Sequence, residues 1–548
     1  MKTQILKIGS ILMLLALVFA PLSGEVHAQE PTLDDRIETA VTNGVAWLAA
    51  QQNPDGSWEN WEQAAHTCFA LVKLQERGYD LGYPTPFDPQ YEYSDNVIAG
   101  WNYLFGTPHV QMQSPLSIQW HGGNPDDPDV NGNGYGLYFS TWGSHPSYTT
   151  GICLMALVSS GTPDRLNEGG LDFNGNGNPD TYKEIAQESM EWLAFGQGDI
   201  NWVEGGWGYD ANDNAVWWAD NSNAGYAVLG LAYAETFGLA VPAWVRTELN
   251  VWINYIQCQD GSGNDGGSGY NWGCDWVNEL KTGNLIFELT FFGDDDTTTR
   301  FQDALAYIER HWQDQNTDPG WGYNVYPASY QAMYTLMKGF EYSGIKLIDT
   351  DGDGQRDDNW FAQDPAASPP QDFANVLLSQ QNGDGSWPGC DWGSQIMCTT
   401  WALLTLEKVA PVIKVPVDIK PASCPNPLNP KDKGVFPVAI AGTAELDVTQ
   451  IDPATIRLEG VAPLRWSYED VATPYDPYTG KTLPNQCTTA GWDGWLDLSL
   501  KFNIQAVVAA LGPVTNGEVR VLALTGNLKE EFGGTPIYGE DVMIIRKK

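Results

Sequence analysis

The chain has 548 residues, 42% of them apolar, with 28 basic residues against 69 acidic ones, a formal charge of −41. That length is too great for one ordinary core, and so negative a surface makes nucleic acid and anionic membrane poor partners.

The chain starts with Lys2 and Lys7, runs apolar from Ile11 to Ala20 and closes on Val26-His27-Ala28, the layout of a cleaved signal peptide over residues 1–28. The mature chain then begins at Gln29, and loss of Lys2, Lys7 and Glu25 leaves 26 basic and 68 acidic residues, a charge of −42. No later stretch reaches the roughly 18 consecutive apolar residues a membrane span needs. The expected location is secreted, extracellular or periplasmic. Eight cysteines in an exported chain read as disulfides. Sequence proximity pairs Cys258 with Cys274, Cys390 with Cys398 and Cys424 with Cys487, and elimination leaves Cys68 with Cys153.

From 29 to 410 one unit recurs: an amphipathic helix, a loop rich in Gly, Trp and Asp or Asn, then a more apolar helix. The first has Ile37, Val41, Val45 and Leu48 at helical spacing, the loop Gln51 to Trp61 (QQNPDGSWENW), and a helix from about Ala64 to Arg77. A weaker unit runs from Asn96 to Leu104 and on to a helix near Tyr148 to Val158. Ala186, Met190 and Leu193 lead to GGWGYD at 205–210; Val245, Leu249, Trp252 and Ile256 lead to GSGYNWGCDW at 267–276. Phe301, Leu305, Ile308 and Trp312 lead to PGWGYN at 319–324. The last unit, with Phe373, Val376 and Leu377, leads to SQQNGDGSWPGCDW at 379–392 and a helix through Leu406. Six such hairpins predict a mainly α fold, a six-hairpin α/α toroid (α6/α6 barrel) with the second helices inside and the loop Trp residues packed at the joints.

The pattern Gln-x-x-x-Asp-Gly-Ser-Trp, at Gln51 to Trp58 and again at Gln380 to Trp387, resembles the QW-type repeats of squalene-hopene cyclases and the related loops of protein prenyltransferases. That resemblance, over roughly residues 33 to 410, implies the terpenoid-cyclase α/α toroid and says less of activity. Cyclases of this kind protonate an alkene with an Asp-x-Asp-Asp motif. The nearest match is Asp294-Asp295-Asp296-Thr297, with Gly293 where the first Asp belongs, which counts against cyclisation. Capping of the helix containing Phe301 is the competing reading of Asp295 and its neighbours. His66-Thr67-Cys68 resembles the His-bearing zinc segment of the prenyltransferases, but the chain has no Asp-x-Cys, so no zinc is expected.

Three insertions, near 126–136, 172–184 and 349–358, place oxygen ligands at alternating positions around a Gly turn, as structural calcium requires. The expected ligands are Asp349, Asp351, Asp353, Gln355 and Asp357 in the clearest loop, then Asp172, Asn174, Asn176, Asn178 and Asp180, then Asp129, Asn131 and Asn133.

The loops that feed the inner helices bring aromatic rings and carboxylates to the ring mouth. His66, Trp207, Tyr209, Trp217, Trp218, Trp276, Trp321 and Tyr323 are the ligand-binding candidates; Asp210, Asp220, Asp275, Glu279, Asp391 and Asp295 are the catalytic ones. Rings beside carboxylates suit a sugar, whose C–H face stacks while its hydroxyls are hydrogen-bonded. Three readings follow: an extracellular ligand-binding or scaffold protein, a glycan hydrolase or lyase, and a terpenoid-cyclase-like enzyme acting on an apolar small molecule. The broken catalytic motifs favour the first.

Residues 411–416 read as a linker, and 417–548 as an antiparallel β-sandwich with strands at Val435 to Ile440, Leu496 to Phe502 and Glu518 to Leu524. VDIKPASCPNPLNP and GVAPLRWSYEDVATP resemble an accessory β domain of exported bacterial proteins, which implies an extracellular setting; attachment to a cell surface through this domain is a hypothesis beside it. Asp493 and Asp497 are expected on the solvent side, with a further calcium site as the alternative.

Overall fold

The computed structural model describes residues 31–547 apart from 107–108, 122–123, 142–144, 212–217, 344, 346, 364–369, 391–392, 409–412, 444–445, 476–477, 479–480, 482, 513 and 530–535. The signal peptide assigned to residues 1–28 lies outside the described residues.

The N-terminal part is mainly helical, and its helices come in six consecutive pairs. These are α1 (Leu33–Ala50) with α2 (Gln63–Asp80), α3 (Ser94–Leu104) with α4 (Pro146–Ser159), and α5 (Tyr182–Phe195) with α6 (Asn221–Thr236). They continue with α7 (Ala243–Ile256) and α8 (Glu279–Phe292), α9 (Thr299–His311) and α10 (Tyr330–Ser343), and α11 (Phe373–Gln380) and α12 (Gln395–Leu406). The first helix of a pair buries one stripe, as α9 does with Phe301, Ala304, Leu305, Tyr307 and Ile308. The second is buried on nearly every side, as α6 is from Asn221 to Ala234 except at Ser222. The second helices therefore go inside: α2 packs on α4, α4 on α6, α6 on α8, α8 on α10, α10 on α12, and α12 returns to α2, closing a ring.

The loop Trp residues occupy the joints. Trp58 is fully buried and donates from Nε1 to the Leu48 carbonyl at 2.9 Å; Trp387 does the same to Leu377 at 2.9 Å. The middle of the ring is filled. Phe69 meets Tyr226 and Tyr334 edge-on at 5.7 and 5.8 Å, and the Tyr334 hydroxyl reaches the Met155 sulfur at 3.7 Å. Disulfides join Cys68 to Cys153, Cys258 to Cys274, Cys390 to Cys398 and Cys424 to Cys487, the last three as expected from sequence proximity and the first as left by elimination.

Short strands mark two insertions: β1 (Val110–Gln113), β2 (Gln119–His121), β3 (Asn124–Asp126) and β4 (Gly136–Phe139) before α4, and β5 (Leu347–Ile348) with β6 (Asp358–Asn359) after α10. β1 and β4 pair antiparallel, with Val110 opposite Phe139.

The C-terminal part holds β7 (Ile413–Lys414), β8 (Val417–Ile419), β9 (Pro427–Leu428), β10 (Val435–Ile440), β11 (Ile451–Leu458), β12 (Arg465–Glu469), β13 (Asp497–Asn503), α13 (Ile504–Ala510), β14 (Val519–Leu528) and β15 (Pro536–Ile545). One sheet runs β12-β13-β10-β8, the other β11-β14-β15-β7, and the two share an apolar core that includes Val438, Leu500, Leu524 and Ile545. Three expectations are corrected here. Residues 413–415 are not free linker, because β7 pairs with β15 and the buried Val415 donates to the Tyr538 carbonyl at 2.8 Å. The strands are not all antiparallel, since β7 and β9 lie parallel to β15. Asp497 does not face solvent. It is fully buried and accepts backbone N–H groups from Gly442, Val471 and Ala472 at 2.6–3.0 Å, which uses up its carboxylate and removes it as a partner of Asp493 for calcium.

Candidate functional site

All six inner helices start at the same end of the ring, and their first turns enclose a cavity of about 350 Å³ above the filled middle. Glu62, His66 and Phe69 come from α2 and its cap; Tyr148 comes from α4, Tyr226 from α6, Lys281 from α8, Gln331 from α10 and Trp401 from α12. Loop residues Trp61, His145, Tyr209, Tyr270 and Trp276 form the rim. Two rim residues, Glu62 at φ 48° and Trp276 at φ 49°, hold left-handed backbone, a strain of order 1 kcal/mol for a residue with a Cβ.

The rim is cross-linked through its aromatic rings. The Tyr209 and Tyr270 hydroxyls lie 2.7 Å apart, Tyr270 meets Trp276 edge-on at 5.4 Å, and the His145 ring sits 4.3 Å from that of Tyr209. Trp276 donates from Nε1 to Asp318 at 2.7 Å and lies under the Lys281 ammonium, 4.2 Å from its ring centre. Burial pulls Lys281 down to about 8 against the pull of Asp318, Asp275 and Asp220. His145 Nε2 is 3.9 Å from the Glu62 carboxylate. Burial raises the Tyr148 hydroxyl above its usual range, and the Glu62 carboxylate beside it raises it further. Glu62, His145, Tyr148 and Lys281 can therefore offer hydrogen bonds and charge to a bound molecule, while the surrounding rings stack on it. Among the described residues that line the cavity, Glu62 is the only carboxylate, so no acid–base pair of carboxyl groups faces it.

Of the expected ligand-binding residues, His66, Tyr209 and Trp276 line the cavity. Trp218 is 45% exposed and donates to Asp220 at 3.1 Å beside the rim. Trp207 and Trp321 are corrections: both are fully buried, Trp207 being spent on the Leu193 carbonyl at 2.8 Å and Trp321 being packed on Trp312 and Phe373, so neither has a face for a ligand. Tyr323 is buried as well, against Trp321. Among the carboxylates, Asp220 caps α6 through the N–H groups of Ser222 and Asn223, both at 3.0 Å. Glu279 is fully buried outside the cavity, and burial drives its carboxyl well above the usual range. Asp210 and Asp275 are exposed and do not line the cavity, although each is next in the chain to a residue that does. Asp295 is exposed and accepts from Thr297 N at 2.9 Å, which fits the turn before α9 and not a proton donor in a closed chamber. Trp217, Asp391 and Trp392 lie outside the described residues.

Sequence reasoning missed His145, Tyr148, Tyr226, Tyr270, Lys281 and Trp401. Lys281 had a legible signal, since it falls in the first turn of an inner helix as His66 does.

The three Gly-turn loops share one geometry. In each the first Asp accepts the N–H of the sixth residue on Oδ2: Asp129 from Gly134 at 2.8 Å, Asp172 from Gly177 at 2.9 Å and Asp349 from Gly354 at 2.8 Å. In the last loop, carboxylate oxygens of Asp349, Asp351 and Asp358 fall within 4.8 Å of one another. The third member is thus Asp358 and not Asp357, which is exposed, because β5 and β6 pair and turn Asp358 back so that it accepts from Thr350 N at 3.0 Å. In the middle loop Asp180 is buried and accepts from Phe173 N at 2.8 Å.

No family model matches the chain, and no curated protein matches it. Among solved structures it is similar to the type II terpene cyclase MstE from Scytonema in its apo form, with 14% identity, 69% of this chain and 99% of that one covered, and a TM-score of 0.35.

Proposed function

We propose that the protein is an exported, calcium-stabilised ligand-binding toroid whose mouth takes a ring-shaped molecule, a sugar unit of a glycan first. The observation that carries this reading is the cavity of about 350 Å³ to which every inner helix contributes. It is walled by aromatic rings and holds a few polar groups, the mixture a saccharide requires. Exposed Trp61, Trp202, Trp218, Trp272 and Trp276 all belong to loops that feed inner helices, so the aromatic surface extends beyond the cavity. The four disulfides suit an oxidising compartment, and among the described residues no helix is long and apolar enough to cross a membrane.

Binding is favoured over glycan hydrolysis because, among the described residues, the lining offers one carboxylate where the usual mechanisms need two. Calcium at the Asp349 and Asp172 loops would brace the insertions. Exposed Trp466, Trp492 and Trp495 give the C-terminal part aromatic surface suited to attachment on a cell-surface polysaccharide.

The test is a thermal-shift and calorimetric panel of oligosaccharides and isoprenoid alcohols on the mature protein in excess calcium. Saturable binding of an oligosaccharide is the expected result. Binding of isoprenoids alone overturns the sugar assignment, and silence from both classes leaves a scaffold.

A further inference from the structure

The loop from Asp129 to Gly134, the least charged of the three, is backed by two buried acids on a different element. Glu188 and Glu191 stand one turn apart on α5, 3% and 0% exposed. Asn131 and Asn133 each reach Glu188 Oε1 at 2.7 Å through their side-chain amides, and Asn131 N donates to Glu191 Oε1 at 3.0 Å. The second oxygen of each glutamate, Oε2, is buried with no hydrogen-bond partner among the described residues. Gln187 donates to Glu191 Oε1 at 2.7 Å, Asp129 adds a further negative charge nearby, and no salt bridge among the described residues balances either glutamate. An ionised carboxylate held dry with an open oxygen needs a positive partner.

We propose that Asp129, Asn131 and Asn133 together with Glu188 and Glu191 form a calcium site, with the two glutamates supplying the charge that the loop lacks. Every donor is oxygen, which excludes a zinc preference. Two carboxylates from a helix and three side chains from a turn approach the six to eight ligands calcium takes, where magnesium would demand a stiff octahedron. The amides already crowd Glu188 at the spacing of neighbouring ligands, since oxygens at about 2.3–2.6 Å from one calcium lie about 3 Å from each other. Turning each amide about its last torsion presents oxygen in place of nitrogen. The ion would pin the insertion to α5, where β4 already packs through Tyr138 stacked on Trp192 at 4.9 Å.

This site is independent of the sugar reading, and its test uses no glycan. The mature protein and the double variant Glu188→Gln/Glu191→Gln are compared for calcium bound per chain by equilibrium dialysis, and for terbium luminescence excited through Tyr135 and Trp192. The variant should hold one ion fewer, or bind it roughly 10- to 100-fold more weakly, while its melting temperature in EDTA equals or exceeds that of the parent, because two dry charges are gone. Asn133→Asp, which adds a carboxylate, should tighten the same site several-fold and guards against a double variant that fails to fold. Equal calcium stoichiometry and affinity in parent and double variant would overturn the site and leave the two glutamates as buried neutral acids, as would an Asn133→Asp protein with unchanged calcium affinity.

Discussion

Gln381 donates from its side-chain amide to the Ala40 carbonyl at 2.8 Å and to the Gly385 carbonyl of its own loop at 2.9 Å, so the last hairpin is clipped to the first outer helix. Gln52 makes the same pair of bonds, to Asn96 and Gly56, both at 2.9 Å. Gln197 clips to Val245 at 3.0 Å and Gln257 to Arg300 at 2.7 Å. These glutamines thus join neighbouring hairpins, Gln52 and Gln381 each standing one residue after the glutamine that opens the repeated pattern, and at Gln381 the ring closes. Gly385, at φ 95°, lies so close that a Cβ would sit 2.5 Å from the Asn43 carbonyl oxygen.

Two substitutions should separate these contributions. Gln381→Ala leaves the Ala40 carbonyl without this partner and is expected to cost about 1–3 kcal/mol. Gly385→Ala meets both the left-handed backbone and the Asn43 carbonyl and should cost more, about 3 kcal/mol or above. Calorimetric unfolding of the mature protein in calcium checks the order, and a Gly385→Ala protein as stable as the parent would show that the joint gives way easily.

The Asp349 loop predicts a contrast between adjacent acids. Asp358 accepts from Thr350 Oγ1 at 2.6 Å and shares a cluster with Asp349 and Asp351, whereas Asp357 faces solvent. Asp358→Asn is expected to weaken the calcium-induced rise in melting temperature, and Asp357→Asn to leave it nearly unchanged. The reverse outcome would restore the spacing read from the sequence.

That contrast illustrates where the sequence was legible. The helices followed from apolar residues at i, i+3 and i+4, and the joints from repeated Trp loops, because both are local patterns that recur six times. Asp358 was hidden because a two-residue strand pair, invisible to periodicity, sets its direction. Glu188 and Glu191 were hidden because they sit on an outer helix some 55 residues from the loop they face. Trp207 and Trp276 sit in similar Gly/Trp loops at different places: Trp207 follows the left-handed Gly205 by two residues and is a joint, whereas after Gly266 that place is taken by Ser268 and Trp276 comes eight residues later, on the rim.

Asp418 should make the C-terminal sheets pH-sensitive. It is buried on β8 with both carboxyl oxygens unpaired among the described residues, and Lys481, which would balance it, is bonded to Asp541 at 3.1 Å. Burial first, then Asp541, raises its pKa from 3.8 to about 8. The folded state therefore keeps a proton that the unfolded chain releases near pH 4, and stability falls as pH rises from about 4 to about 8, by at most about 1.4 kcal/mol per pH unit. Asp418→Asn should remove that slope and be more stable than the parent at pH 8, with little difference at pH 4. Parallel stability curves for the two proteins would show that Asp418 is ionised in the fold.

Trp276 and Trp207 supply the decisive comparison for the mouth. Trp276 is 44% exposed, touches the cavity and lies beneath the Lys281 ammonium, while Trp207 is fully buried at a joint. Trp276→Ala removes a stacking face and little packing, so stability should change by about 1 kcal/mol or less while affinity for an oligosaccharide found in the panel falls roughly 10- to 100-fold. Trp207→Ala opens a cavity between helices and should cost about 3–5 kcal/mol of stability, with affinity near the parent value in the fraction that remains folded. The Trp276 variant also strips the ring from Lys281, so water reaches the ammonium and its pKa should climb from about 8 toward 10.5. A change in the pH dependence of ligand binding then accompanies the loss of affinity. If both Trp variants lose stability alike and neither alters binding, the ligand does not enter by this rim, and the aromatic loops serve only to hold the hairpins together.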